Sequence, residues 1–119
     1  MGENRIKLVA ADMDGTLLNR ERKITKYTQD VIKKAMAQGV YFVPATGRAV
    51  NALPPELKEM EGIRYGIFSN GATIYDLKEE KVIYKNHFEM DRVLELMDFL
   101  KQFDLMESIS LNGQSYANK

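Results

Sequence analysis

The chain has 119 residues, the length of one domain, and its 17 basic and 17 acidic side chains cancel, leaving no net field to draw it to nucleic acid or an anionic membrane. It has no cysteine and one histidine, His87, which excludes disulfides and thiolate or imidazole-rich zinc sites, so a metal here would be bound through oxygen. The polar start Met1 to Arg5 precedes an apolar run too short for a secretory signal, and no stretch approaches a membrane span, which points to the cytoplasm.

Ile6 to Ala11 is nearly unbroken apolar sequence, the pattern of a central parallel strand covered on both faces. It runs into Asp12-Met13-Asp14-Gly15-Thr16. In a regular strand residues i and i+2 share a face, so Asp12 and Asp14 would repel unless a cation or a proton sat between them. Gly15 lets the backbone turn at once, and Thr16 adds a hydroxyl and a backbone N–H. The same residues also fit a strand that ends in an Asp-Gly hairpin turn.

Leu17 to Thr25 carries the charged tip Asn19-Arg20-Glu21-Arg22-Lys23 and reads as an exposed flap beside the carboxylates. Thr25 or Thr28 caps a helix to about Gln38, with Val31, Ile32, Ala35 and Met36 on one face and Gly39 at its end. Val40 to Ala45 is a second strand, parallel to the first because a helix links them, with Pro44 tolerated near its end. Thr46-Gly47-Arg48 follows, then a helix-like segment from about Ala49 that Pro54 and Pro55 interrupt or restart. Ligands bind at the carboxyl ends of parallel strands, which puts Thr46 on the rim with Asp12 and Asp14. Thr46 also suits a helix N-cap, and Arg48 a surface position.

Tyr65 to Ser69 is a third short strand, ended by the turn pair Asn70-Gly71. Ala72 to Asp76 and Lys81 to Lys85 flank Leu77-Lys78-Glu79-Glu80 as a hairpin that leaves the parallel pattern. Met90 to Phe103 is an amphipathic helix with Asp91 near its start and Val93, Leu94, Met97, Leu100 and Lys101 at helical spacing. Glu107 to Leu111 and Gln114 to Tyr116 read as two short strands around Asn112-Gly113. The pattern shifts near residue 86, so two units are expected, 1–85 and 86–119.

With these segments in place, the chain resembles the haloacid dehalogenase-like (HAD) hydrolase superfamily, particularly the Cof-type phosphatases with an α/β cap inserted after the third core strand. The resemblance rests on Asp12-Met13-Asp14-Gly15-Thr16, on Ala45-Thr46-Gly47-Arg48 and on Ser69-Asn70-Gly71-Ala72, which look like the first motif, the second motif and the segment before the cap. It implies an α/β fold: part of a Rossmann-like core with parallel strands, followed by the beginning of an α/β cap. It further implies a phosphatase acting on a small phosphorylated metabolite such as a sugar phosphate. Asp12 would attack phosphorus to give an aspartyl-phosphate, and Asp14 would protonate the leaving alcohol and then activate water, roles that suit two neighbouring carboxyl groups.

By the same resemblance Mg²⁺ would be held by Asp12 and Asp14, the latter through its backbone carbonyl. Thr46 would hydrogen-bond a phosphoryl oxygen, helped by the Met13, Gly15, Thr16 and Gly47 backbone and by Arg48, Asn70 and Gly71. The family's later lysine motif and second acidic motif have no counterpart: Lys101 lies in the amphipathic helix, flanked by Asp98 and Asp104. The resemblance is therefore to an N-terminal portion, and weak Mg²⁺ binding, little turnover and self-association through exposed strand edges are expected. Two other readings compete. One is a non-catalytic binding or self-associating module. The other is a phosphoacceptor signalling module, which Gly15-Thr16 and Thr46-Gly47-Arg48 disfavour.

Overall fold

A computed structural model of the chain describes residues 5–112 and 114–118. The first apolar run becomes strand β1 (Leu8–Asp12), and helix α1 (Lys26–Ala37) returns the chain to β2 (Tyr41–Ala45), parallel to β1 from Leu8↔Tyr41 to Asp12↔Ala45. The Thr25 hydroxyl accepts the Thr28 N–H at 3.2 Å and so satisfies a free amide of the first helical turn. Of the apolar face expected on α1, Ile32 is buried and Ala35 and Met36 are half-buried. Val31 instead remains 47% exposed, because one residue turns the side chain about 100° around the helix and off the buried stripe.

A short 3₁₀ turn (Val50–Ala52) and helix α2 (Pro55–Lys58) lead to β3 (Tyr65–Phe68), which lies parallel to β2. Proline at the first position of α2 costs no hydrogen bond, so the proline pair restarts the helix there. Strands β4 (Thr73–Asp76) and β5 (Lys81–Lys85) then add antiparallel, giving one sheet of order β1-β2-β3-β4-β5. Met13, Ile32, Phe42, Leu53, Leu57 and Phe68 belong to a single buried cluster. The fold class is α/β, with parallel strands at one side of the sheet and a hairpin at the other.

The expectation that β1 is covered on both faces is not met. It pairs on one side only, with Leu8 54% and Val9 38% exposed. Every later strand of this sheet adds on the β2 side, so among the described residues no strand pairs with the outer edge of β1.

At the other end of the core Asp76 is 2% exposed and ties the β4–β5 hairpin together. Its Oδ1 accepts the Lys78 and Glu79 N–H groups at 3.0 and 2.9 Å, and its Oδ2 accepts Arg64 Nε and Nη2 at 3.2 and 3.1 Å. The Glu79 N–H, opposed by burial, and then the Arg64 guanidinium hold its carboxyl below the usual aspartate value.

After the sheet come helix α3 (Met90–Leu100) and a separate hairpin of β6 (Ser108–Leu111) and β7 (Gln114–Ala117); Gly113, expected in its turn, lies outside the described residues. α3 stops before the expected Phe103, and Lys101 just past its end pairs with Asp98 at 2.7 Å. No described residue after Asp76 is buried. This segment is anchored to the sheet by the Asn86 N–H, which donates to the Ala72 carbonyl at 2.8 Å, and by His87 Nε2, 2.9 Å from Thr73 Oγ1.

Two substitutions test these contacts. A Cβ at Gly66 would stand 2.5 Å from Cε2 of the fully buried Phe68, so Gly66→Ala is expected to lower the unfolding free energy by about 1–3 kcal/mol, read from the urea midpoint. Asp76 has a lower pKa folded than unfolded, so its stabilisation is complete above the unfolded value of about 3.9 and is lost as pH falls through the folded value. Asp76→Asn should lower the melting temperature by several degrees at pH 7 and blunt the fall in stability below about pH 4.

Candidate active site

The backbone leaves β1 at Asp12 and swings through a wide turn, Met13–Leu17, closed by the Leu18 N–H donating to the Met13 carbonyl at 2.9 Å. Gly15 makes that turn possible, at φ 77° where a side chain would be strained. No strand follows it, and β1 pairs with β2 in parallel, so the Asp-Gly hairpin reading is excluded. Nor do Asp12 and Asp14 share one face of a regular strand. Asp12 is the last residue of β1, Met13 is buried in the core, and Asp14 stands on the turn. The Thr16 hydroxyl donates to Asp12 Oδ2 at 3.2 Å, which orients the exposed Asp12 carboxylate.

The charge on Asp14 is balanced by Arg48. The guanidinium fork meets the carboxylate with both arms, Nη2 to Oδ1 at 2.6 Å and Nε to Oδ2 at 2.9 Å, while Nη1 donates to the Ala52 carbonyl at 3.2 Å. These hydrogen bonds from Arg48, opposed by desolvation and assisted by the charges of Arg48 and Arg22, hold the Asp14 carboxyl below its ordinary value. Arg48 therefore faces the acid pair, and the counter-charge that the Asp-x-Asp spacing demands comes from a side chain 34 positions later.

Register brings the second motif alongside. Asp12 is opposite Ala45, so Thr46 lies one residue beyond its partner, just past the end of the neighbouring strand. Thr46 is buried; its N–H donates to the Ile67 carbonyl at 2.9 Å and its Oγ1 accepts the Arg48 N–H at 3.1 Å. That bond caps the turn and leaves the hydroxyl proton free to donate elsewhere, so the capping and ligand roles are compatible.

The third segment closes over the second. The Asn70 N–H donates to the Thr46 carbonyl at 3.1 Å and the Ser69 N–H to the Arg48 carbonyl at 2.9 Å. A Cβ at Gly47 would lie 2.8 Å from Asn70 Oδ1, so glycine is what lets this side chain approach. Ser69, Asn70 and Gly71 adopt φ of 50°, 56° and 94° in succession, left-handed backbone that costs energy at the two residues bearing side chains.

The structure thus gathers Asp12, Asp14, Thr16, Thr46, Gly47, Arg48 and Asn70 at one rim, and Gly71 follows Asn70 in the left-handed turn. Met13 contributes backbone only, since its side chain is in the core. Two participants were not among the site residues expected from the sequence, although Ser69 belongs to the third segment. Ser69 anchors the third segment through its N–H, and Arg22, on the flap, acts on the Asp14 charge. The charged flap tip signalled exposure without showing which of its residues faces the acids. A cavity of about 630 Å³ lies elsewhere, beneath α3, and none of the acid pair, Thr46 or Arg48 lines it.

Among the described residues no three His, Asp or Glu side chains cluster as a metal cage. Mg²⁺ does not require one, since it binds through one or two carboxylates and completes its octahedron with water and phosphate oxygens. The exposed Asp12 carboxylate fits that requirement, whereas the Asp14 carboxylate is committed to Arg48.

Residues 9–119 match the family model of the haloacid dehalogenase-like hydrolases. A Buchnera aphidicola (subsp. Schizaphis graminum) protein named as a candidate phosphatase is 39% identical over 115 residues, 94% of this chain and 41% of the relative. Among solved structures, BT1666 of Bacteroides thetaiotaomicron, from a study of HAD phosphatases, superposes with a TM-score of 0.81 at 30% identity, over 99% of this chain and 43% of that one. The HAD subclass IIB sugar phosphatase BT4131 gives 0.76 at 28% identity, over 93% and 43%. The chain spans about two fifths of the length of each of these proteins.

The Arg48 clamp has a direct readout. Followed by carboxyl ¹³C shifts, Asp14 should titrate below the ordinary aspartate range, and Arg48→Met should move its midpoint back up towards that range. An unchanged midpoint in the variant would show that the ion pair does not form in solution.

Proposed function

Given that this chain belongs to the haloacid dehalogenase-like hydrolase family, we propose that its rim is the nucleophile-bearing part of a Mg²⁺-dependent phosphomonoesterase for a small phosphorylated metabolite, a sugar phosphate being the leading class. The observation that supports this reading is the register that pairs Asp12, the exposed end of β1, with Ala45, the residue before Thr46. An oxygen of Asp12 attacks phosphorus, the ester P–O bond breaks, and Asp14, having taken up a proton from solvent once free of Arg48, gives that proton to the departing alcohol oxygen. Asp14 then takes a proton from the water that cleaves the aspartyl-phosphate, restoring Asp12. Thr46 donates to a phosphoryl oxygen, and the Gly15, Thr16 and Gly47 N–H groups are the further candidate donors. Mg²⁺, held by Asp12 and the Asp14 backbone carbonyl, would supply charge neutralisation to the phosphoryl oxygens.

The sugar phosphatase BT4131 supports the substrate class by similarity over 93% of this chain. Full activity belongs, in this reading, to a protein of the relatives' length, and the chain alone is slow because the lysine and the second acidic motif are absent. We place the division of the chain near residue 86, a core portion in 1–85 and the beginning of a cap in 86–119. The unburied segment after Asp76 supports that division. A second reading, a non-catalytic self-associating module, is favoured by the open β1 edge, whose unpaired N–H and C=O groups can template another strand.

Mg²⁺-dependent phosphate release from an aryl phosphate decides between them. Slow release that falls at least about a hundredfold in Asp12→Asn is expected for the phosphatase. No release from either chain, with concentration-dependent sedimentation, selects the module.

A further inference from the structure

Arg48 is committed to the acid it would have to leave free. Asp14, as a proton donor to a leaving oxygen, needs an unencumbered carboxyl, yet both of its oxygens are held by the guanidinium fork. The pair is open to water, with side-chain exposures of 27% for Arg48 and 53% for Asp14, and half-exposed ion pairs of this kind are weak. A guanidinium has five N–H donors, of which Arg48 uses three, counting the one on Ala52. Arg48 also borders an open cleft of about 620 Å³ between the flap and the segment after β2, where the cations Arg22 and Lys23 stand with it and the acids Glu21 and Glu56 line the same cleft. An anion entering from that side meets a guanidinium whose present partner carries a single charge. A phosphomonoester carries close to two charges and offers oxygens that match the same fork.

We propose that Arg48 is a positioning residue that works by exchange. In the ligand-free rim its fork holds the Asp14 carboxylate, and an arriving phosphomonoester dianion takes the fork over and releases Asp14 towards the leaving oxygen. The guanidinium stays protonated throughout, and no covalent bond changes in the exchange itself. The Ala52 carbonyl serves as a pivot, because Nη1 can keep that bond while the rest of the fork turns. This inference rests on the phosphoryl-site reading above and adds what sets Asp14 free.

Competition for one fork predicts coupling of a particular sign. Inorganic phosphate is titrated calorimetrically into the 119-residue chain in Mg²⁺ buffer, for wild type, Asp14→Asn, Arg48→Ala and the double variant. Circular dichroism establishes that each is folded, and Arg48→Lys serves as a charge-retaining variant without the fork. Exchange predicts that Asp14→Asn tightens phosphate binding about 3–10-fold, because the fork no longer has to be withdrawn from a competitor. It also predicts that the same change gives a smaller gain once Arg48 is alanine. Arg48→Ala alone should weaken phosphate several-fold, with Arg48→Lys between the two.

A merely structural pair predicts the reverse order. Removing Asp14 would then help at least as much without Arg48, since only bare repulsion is relieved, and that result overturns the proposal. Phosphate binding that is lost in Thr46→Val but indifferent to Arg48 and Asp14 would overturn the exchange and leave the phosphoryl site standing. Absence of phosphate binding in every folded variant would remove the phosphoryl-site reading, and this inference with it.

Discussion

The parallel ladder between β1 and β2 is the constraint on which the rest of the site depends. It places Asp12 opposite Ala45, and with it Thr46 one step further along the rim. Side chains alternate along a strand, so a slip of one residue would send Asp12 to the other face and pull Met13 out of the core. Burial of Met13 therefore opposes any other register at the point where the chemistry sits. The later pieces are hung from the same ladder by backbone bonds. Thr46 donates to Ile67 on β3, and Ser69 and Asn70 return N–H groups to Arg48 and Thr46. A rim drawn from three distant stretches of sequence is thus held by main-chain geometry, with few side chains asked to do more than point.

Local patterns made much of this legible in advance. The apolar run into Asp12, the Thr25 cap, the strand before Thr46, the proline restart and the β4–β5 hairpin are all written in short-range chemistry. Each appears close to its expected position. What was not legible depends on partners distant in sequence. An unbroken apolar strand looks the same whether it is central or awaiting a neighbour, so composition did not reveal β1 as an edge. The wide turn at Met13–Leu17 likewise could not be read from two aspartates at i and i+2, because the strand ends between them. Periodicity also overreached by one residue at Val31. At the rim, residue types announced the acids and Thr46. The Arg48–Asp14 pairing spans 34 positions and has no sequence signature beyond the presence of an arginine after Thr46-Gly47.

The two parts of the chain are stabilised unequally. Up to Asp76 the elements share one buried cluster, and even the polar Asp76 is fully satisfied by four hydrogen bonds. Beyond it no described residue is buried, while Leu94, Phe99, Leu105 and Met106 are exposed. Local order there comes from hairpin pairing, the α3 ladder and an exposed Phe99–Phe103 edge-to-face contact at 5.5 Å. Elements with so little apolar burial sit at the low end of local stability. The rim is therefore founded on the part of the molecule that can hold geometry, and the more labile segment is linked to the sheet at Ala72 and Thr73.

That division gives the arginine its significance. Two carboxylates at a strand end need positive charge nearby, and a sheet with only a small net dipole supplies little of it. One solution is a bound cation; another is a side chain whose charge is permanent and whose geometry fits a carboxylate. Arg48 is the second kind, and its planar fork meets both oxygens of Asp14 in a way that a lysine ammonium cannot reproduce. Because the pair is half in water it stabilises the turn only modestly, and the same exposure leaves it open to replacement by a stronger anion. Among the described residues Asp12 has no such partner; it accepts the Thr16 hydroxyl and stays exposed. The sheet thus delivers two chemically identical groups into different environments, one charge-paired with Arg48 and held aside, the other exposed and oriented by Thr16, and such a difference in surroundings is what lets neighbouring acids behave differently.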